Sequence, residues 1–182
     1  MNNVCAKALT MVTALLVSFN AKSAESFTGT ALRIVDTYKT ECTSATNIAG
    51  NDIPQDETPI FDLGEGGFYT LNLGADTPQA EVISTARMTC NDYSMGYCGS
   101  SGCTSHIVID DRAYDAQGSR PKMLQGGSQN YIVWNVSGYL CETPEKPVVS
   151  SSSPCTIAAI WDSNRQRLSY PHLQYELDSR FN

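Results

Sequence analysis

Four residues with the side chains of a hydrolase crowd one stretch of the chain: Ser101, Ser105, His106 and Asp110. A serine nucleophile needs a histidine to take its proton and a carboxylate to orient that histidine. No Gly-x-Ser-x-Gly elbow surrounds either serine. Ser105 and His106 are also neighbours on a run with strand character, so their side chains point to opposite faces. His106 therefore reads as a structural hydrogen-bond partner, and a small hydrolase using His106 or carboxylates is the alternative. His172 follows Pro171 and has no partner evident in the sequence. Glycosidase chemistry needs two acids facing each other across a cleft, and nothing singles out a pair among the 19 acids.

Asn72, Gly74 and Asp76 alternate, and Glu81 follows. A calcium loop wants oxygen side chains at positions one, three and five, then a glycine, then a terminal carboxylate. Here the third position is Gly74 and the sixth is Thr77. The segment reads as a β-turn, with calcium held by Asn72, Asp76 and Glu81 as the alternative. Asp110, Asp111 and Asp115 read as a solvated turn. No cofactor is expected.

Seven cysteines complete the reactive set, and Cys5 precedes an apolar run that reads as a leader. The other six are Cys42, Cys90, Cys98, Cys103, Cys141 and Cys155. No Cys-x-x-Cys redox pair exists, and two histidines far apart do not complete a zinc site. An even count in an exported chain reads as disulfides. Cys98-Gly-Ser-Ser-Gly-Cys103 closes a tight loop whose glycines permit the sharp backbone. Cys141 and Cys155 bracket a Pro/Ser-rich loop, and Cys42–Cys90 follows by elimination. Tyr93, Tyr97, Tyr131, Trp134, Tyr139 and Trp161 fall near loops or strand ends. Exposed, they would make carbohydrate or protein contacts; Trp134 and Trp161 read first as core.

The elements that must position these groups follow from periodicity. Phe27, Ala31, Ile34, Val35, Tyr38 and Cys42 make one stripe of a 3.6-residue period, which predicts a helix over 24–42 capped by Thr28 or Thr30. Thr43 to Glu57 reads as loop. The turn Asp62 to Gly67 between Ile60-Phe61 and Phe68-Tyr69 predicts a hairpin. Strands are expected over 68–73, 80–88, 105–110, 131–136 and 156–161, with short ones at Met123-Leu124 and 167–170. Asn91 to Thr104 reads as a disulfide-tied loop and Asp111 to Arg120 as turn-like. The fold class expected is α+β, an N-terminal helix packed on a mainly antiparallel sheet and stapled by disulfides.

Met1 to Lys7, the 12-residue run Ala8 to Phe19, and the small-residue exit Asn20 to Ala24 have the three-part layout of a signal peptide. The run is shorter than the roughly 20 residues that span a bilayer. Residues 1–23 are expected to be removed, leaving one domain over 24–182 with a short tail from 171. Losing Lys7 and Lys22 and no acid moves the formal charge from −7 to −9. Such acidity disfavours nucleic acid as a partner. No second long apolar stretch follows, so the mature chain is not expected to be membrane-embedded.

Gly96-Tyr-Cys-Gly-Ser-Ser-Gly-Cys103 directly precedes a strand. Leu71-Asn-Leu-Gly-Ala-Asp-Thr-Pro lies upstream, and Cys141 to Cys155 then Thr-Ile-Ala-Ala-Ile-Trp161 downstream. Over residues 31–161 this order resembles small exported cysteine-rich bacterial proteins of uncharacterised function, which carry a Cys-Gly-x-Gly-Gly-Cys-like loop between strands. The loop here, Cys-Gly-Ser-Ser-Gly-Cys, departs from that pattern. The resemblance implies export and a disulfide-stapled domain, and it implies no activity. The function expected is a non-enzymatic binding or inhibitor-like domain, periplasmic or secreted, meeting an envelope or extracellular protein or carbohydrate. A structural envelope protein is the third reading.

Overall fold

The computed structural model describes residues 27–48, 51–54, 56–75, 77–95, 97–126, 129–137 and 154–170. The expected leader, Asp76, Cys141, Tyr139, His172 and the tail from 171 lie outside the described residues.

The chain forms the helix α1 (Gly29–Thr43), which begins five residues after the expected start. Thr28 is its N-cap, and its side chain accepts a hydrogen bond from the Ala31 N–H at 3.4 Å, as a β-hydroxyl at that position does. A minimal pair follows, β1 (Asn47–Ile48) with β2 (Asn51–Asp52), inside the stretch expected to be loop. Next come β3 (Phe61–Asp62), β4 (Phe68–Leu71) and β5 (Ala80–Ser84). A single 3-10 turn, Thr85–Arg87, separates β5 from β6 (Thr89–Cys90), which is followed by β7 (Tyr93–Ser94) and β8 (Cys98–Gly99). The long strands are β9 (Gly102–Ile109), β10 (Arg112–Gly118), β11 (Lys122–Gly126), β12 (Gln129–Val136) and β13 (Cys155–Asp162), and β14 (Arg167–Ser169) closes the described chain.

All strand pairs are antiparallel. The central sheet runs β10-β9-β5-β4, with β8 also paired to β9; a second runs β11-β12-β13-β14; a small one runs β3-β6-β7. The architecture keeps the one helix, the antiparallel strands and the disulfides that the sequence suggested, but it is mostly β and its strands are divided among several sheets.

Strand alternation sorts the core into two clusters. Val82, Ile107, Ile109 and Ala116 of the central sheet are buried with Ile132, Trp134, Val136, Ala159 and Leu168 of the second sheet. The intervening residues Ile83 and Val108 are buried in a different cluster with Ala31 of α1 and Met88, and Phe27, Ile34, Val35, Tyr38, Phe61 and Phe68 pack against it. The residues of the predicted helical stripe are therefore the ones α1 turns inward. The two sheets approach closely at Gly118, where φ is +138° and a Cβ would lie 2.1 Å from the Asn135 carbonyl oxygen. Only glycine fits that conformation and that contact.

Three sequence expectations fail for identifiable reasons. Phe61 does not pair with the Phe68 strand: it pairs with Cys90, while Phe68 pairs with Ile83. The Asp62–Gly67 turn places Gly64 and Gly66 at φ +71°, and Asn91 captures both backbone groups of Ile60, its side chain accepting from Ile60 N–H at 2.7 Å and its N–H donating to Ile60 O at 2.9 Å. Residues 111–120 are not a turn but mostly strand β10, because the turn is only two residues, Asp110 and Asp111, at φ +50° and +61°. Strand β5 stops at Ser84 rather than Met88, where Thr85 breaks away and its hydroxyl donates to Thr104 O at 2.8 Å.

Candidate functional site

The chemistry-bearing side chains of the central sheet gather on its α1 side. Ile109 opposes Arg112 across the two-residue turn, so His106 directly opposes Asp115. One turn of α1 before Cys42, Tyr38 reaches the same place. His106 Nδ1 lies 2.6 Å from Asp115 Oδ1, and His106 Nε2 lies 2.7 Å from the Tyr38 hydroxyl. The imidazole is mostly covered, with 14% of its side-chain surface exposed, whereas Asp115 is 57% exposed. Tyr97, just before β8, meets Tyr38 edge to face at 4.7 Å between centroids, and its hydroxyl donates to Glu41 of α1.

Electrostatics fix where the protons sit. The hydrogen bond from His106 holds the Asp115 carboxyl below its ordinary range, against an opposing effect of burial. In the neutral imidazole, donation from Nδ1–H to an ionised Asp115 leaves the Nε2 lone pair to accept from the Tyr38 O–H. Burial first, and then the charges of Asp115 and Glu41, push the Tyr38 phenol up to about 12. Tyr97 is pushed up as well, by burial first and then by its bond to Glu41 and the charges around it. The chain phenol–imidazole–carboxylate has the connectivity of a hydrolase triad, but its phenol is held protonated. A nucleophile is activated by a lowered pKa or by a base that can take its proton, and Tyr38 has been moved the other way.

The two serines weighed as nucleophiles lie elsewhere. Ser105 is buried on the opposite face of β9 with its hydroxyl 3.4 Å from that of Ser84. Ser101 accepts from Gln117 at 3.2 Å. Asp110 sits in the turn, and it is Asp115 that meets His106.

Of the calcium candidates, Asn72 and Glu81 are both engaged in bonds of their own. Asn72 Oδ1 accepts from Gly74 N–H at 3.0 Å, an Asx turn. Glu81 is buried and serves the N-terminus of α1, accepting from Thr28 N–H at 3.0 Å and from the Thr28 hydroxyl at 2.5 Å. A carboxylate there also complements the positive end of the helix dipole. Asp111 adds a second carboxylate, its Oδ1 accepting from Thr30 N–H at 3.3 Å while its carbonyl accepts from the Thr30 hydroxyl at 2.8 Å. Among the described residues, no group of three or more His, Cys, Asp or Glu is placed to hold a metal ion.

Cysteines complete the frame. Cys42 at the end of α1 is bonded to Cys90 of β6, and Cys98 of β8 to Cys103 of β9. Cys155 is also disulfide-bonded; Cys141, the partner expected for it, lies outside the described residues. Of the aromatic residues singled out by position, Trp134 is buried in the core against Tyr170, and Trp161 packs on that core. Tyr93 is 48% exposed, and Ile60, which position in the sequence did not mark, is 73% exposed. Both belong to the small sheet or its margin. No sequence signal marked Ile60, because its bonds to Asn91 follow only once β3 is placed against β6.

No helix among the described residues is long and apolar enough to cross a membrane. Comparison with known proteins finds no family model, curated protein or solved structure that matches the chain.

Proposed function

We propose that the protein is an exported, non-enzymatic binding domain of the periplasm or extracellular space, and that the small sheet β3-β6-β7 is its contact surface. The observation that carries this reading is Ile60. Its side chain is 73% exposed while its N–H and carbonyl are both held by Asn91. An apolar side chain on a backbone already fixed loses little freedom when a partner covers it. Tyr93 stands on β7, across β6 from β3, and supplies an aromatic anchor of the kind that dominates interfaces. The Cys42–Cys90 bond ties this sheet to α1, so the surface is rigid in the oxidised protein. An exposed isoleucine and an exposed tyrosine on one small sheet suit a protein partner; a carbohydrate would use the tyrosine face alone.

The test is capture from envelope extract and culture fluid by the oxidised protein, beside Ile60→Arg and Tyr93→Ser. Loss of an interface anchor is expected to reduce retention of the captured species by about 30-fold, the effect of a 2 kcal/mol hot spot, with circular dichroism unchanged. Equal capture by both variants would sink the reading. Loss with Tyr93→Ser alone, reversed by free sugar, would move the partner to carbohydrate. The Tyr38–His106–Asp115 chain favours a second reading, a small exported hydrolase, which requires pure protein to turn over an ester, amide or glycoside in a His106-dependent manner.

A further inference from the structure

The two described disulfides do not do the same work. Cys42 and Cys90 are 1% and 2% exposed, and their bond joins the end of the helix to a strand 48 residues away. Closing so long a loop removes much freedom from the unfolded chain. Cys98–Cys103 spans five residues, so its closure removes little. It joins directly opposed residues of β8 and β9, in a hairpin already held by the Gly99–Gly102 pairing. Cys98 is exposed and Cys103 partly so. Strand β8 is only two residues long and pairs, among the described strands, with β9 alone. Yet the residue before it, Tyr97, reaches across to Tyr38 and Glu41 of α1. A bond that adds little to chain stability is thus placed where a nucleophile can reach it and where its opening is felt by the helix.

We propose that Cys98–Cys103 is a thiol–disulfide exchange site for an exported dithiol reductant. A thiolate of the reductant attacks Sγ of Cys98, the more exposed residue of the pair, forming a mixed disulfide and expelling Cys103 as a thiolate, which takes a proton. The second thiol of the reductant then attacks the mixed disulfide and releases Cys98. The reductant leaves as a disulfide, and two electrons and two protons have moved to Cys98 and Cys103. Freed from the cross-link, β8 is held by a single short ladder, and Tyr97 loses its fixed position against Tyr38. Reduction is therefore read out at the Tyr38–His106–Asp115 chain while Cys42–Cys90 stays closed.

The experiment incubates the oxidised full chain with graded dithiothreitol, quenches with acid, alkylates the free thiols and maps the peptides. Because exposed sites exchange without the global opening that buried sites require, Cys98 and Cys103 should be labelled together at least about tenfold faster than Cys42 and Cys90. Over the same interval the His106 ring proton resonances should shift and the far-ultraviolet circular dichroism should hold. A double variant, Cys98→Ser with Cys103→Ser, should show the shifted His106 resonances without reductant. Labelling of Cys42 and Cys90 at the same rate or earlier overturns the proposal, as does opening of Cys98–Cys103 that leaves the His106 resonances unmoved. If the double variant fails to fold, the labelling order and resonances of the native chain still decide. None of these readouts depends on Ile60 or Tyr93, so failure here is separate from failure of the binding reading.

Discussion

On one side of β5 and β9, Val82, Ile107 and Ile109 run into Ile132, Trp134, Val136 and Ala159, with the buried Ser84 and Ser105 paired to each other beside them. On the other side, Ile83 and Val108 share the surface with Glu81 and His106, which the strand alternation places beside them. The first side is assembled mainly by area: many apolar contacts of similar strength, with the Ser105–Ser84 contact the minor directional part on β5 and β9. The second is assembled by a few directional bonds. Ala31 and Cys42 are the fully buried apolar residues of α1, and Leu32 is 45% exposed. Burial of so little apolar surface does not offset the entropy of ordering fifteen residues. The helix is held instead at three points along its length: two carboxylates at its start, the Tyr38–His106 bond midway and a disulfide at its end.

That difference sets the order of expected effects. The largest is removal of the covalent tie. Cys42→Ser with Cys90→Ser should destabilise by about 4 kcal/mol, the scale of closing a loop of this length, and chemical denaturation of the variant should show helix signal lost ahead of strand signal. Two-state melting with both signals lost together would mean that α1 is carried by packing rather than by its anchors. Next is the apolar side. Ile132 is fully buried, and Ile132→Ala should destabilise by about 3 kcal/mol through lost transfer energy and a residual cavity, lowering both signals in concert. On the helix side, Glu81→Gln keeps the volume but replaces a charged acceptor of two Thr28 hydrogen bonds. Hydrogen bonds to charged groups contribute about 1.5–3 kcal/mol, so a loss of about 2 kcal/mol is expected, concentrated in the helix signal.

The same contrast explains what was legible in the sequence. The stripe Phe27, Ala31, Ile34, Val35, Tyr38 and Cys42 announced its helix because a one-sided apolar pattern survives any tertiary context. The β-branched runs at 105–110, 131–136 and 156–161 announced their strands for the same reason. Strand β10 was hidden. Two of its inward residues, Ala116 and Gly118, are small rather than β-favouring, Gly118 because it meets β12 closely, and two aspartates in its turn suggested solvent. Missing that strand concealed the site, since the His106–Asp115 pairing follows from the register only once Asp110 and Asp111 are taken as the whole turn. The pairing of Phe61 with Cys90 was hidden differently: it rests on one asparagine side chain, and adjacency in sequence pointed to Phe68 instead.

The smallest effects test the middle anchor, and here two phenols serve as mutual controls. Tyr38 lies on the helix side and Tyr170 packs against the apolar cluster, and both are pushed up to about 12, by burial first. A phenol whose folded pKa is raised stabilises the fold fully below its ordinary value of 10.0 and loses that contribution as pH rises toward 12. Asp115 has the opposite sign: its folded pKa is lowered, so its contribution is present above its ordinary value of 3.8 and is lost as pH falls below it. His106→Gln cannot serve Tyr38 and Asp115 at once, and it should destabilise by about 1–2 kcal/mol at neutral pH, the scale of one lost hydrogen bond. It should also flatten the acid limb of the stability profile. Tyr38→Phe should remove one late-titrating phenol from the phenolate absorbance curve and leave that of Tyr170 in place. If His106→Gln instead leaves melting unchanged and abolishes a hydrolytic activity of the pure protein, the imidazole is a base rather than an anchor. The triad-like connectivity would then be the site itself, and the helix side of β9 would be built for chemistry at the expense of the packing that the other side enjoys.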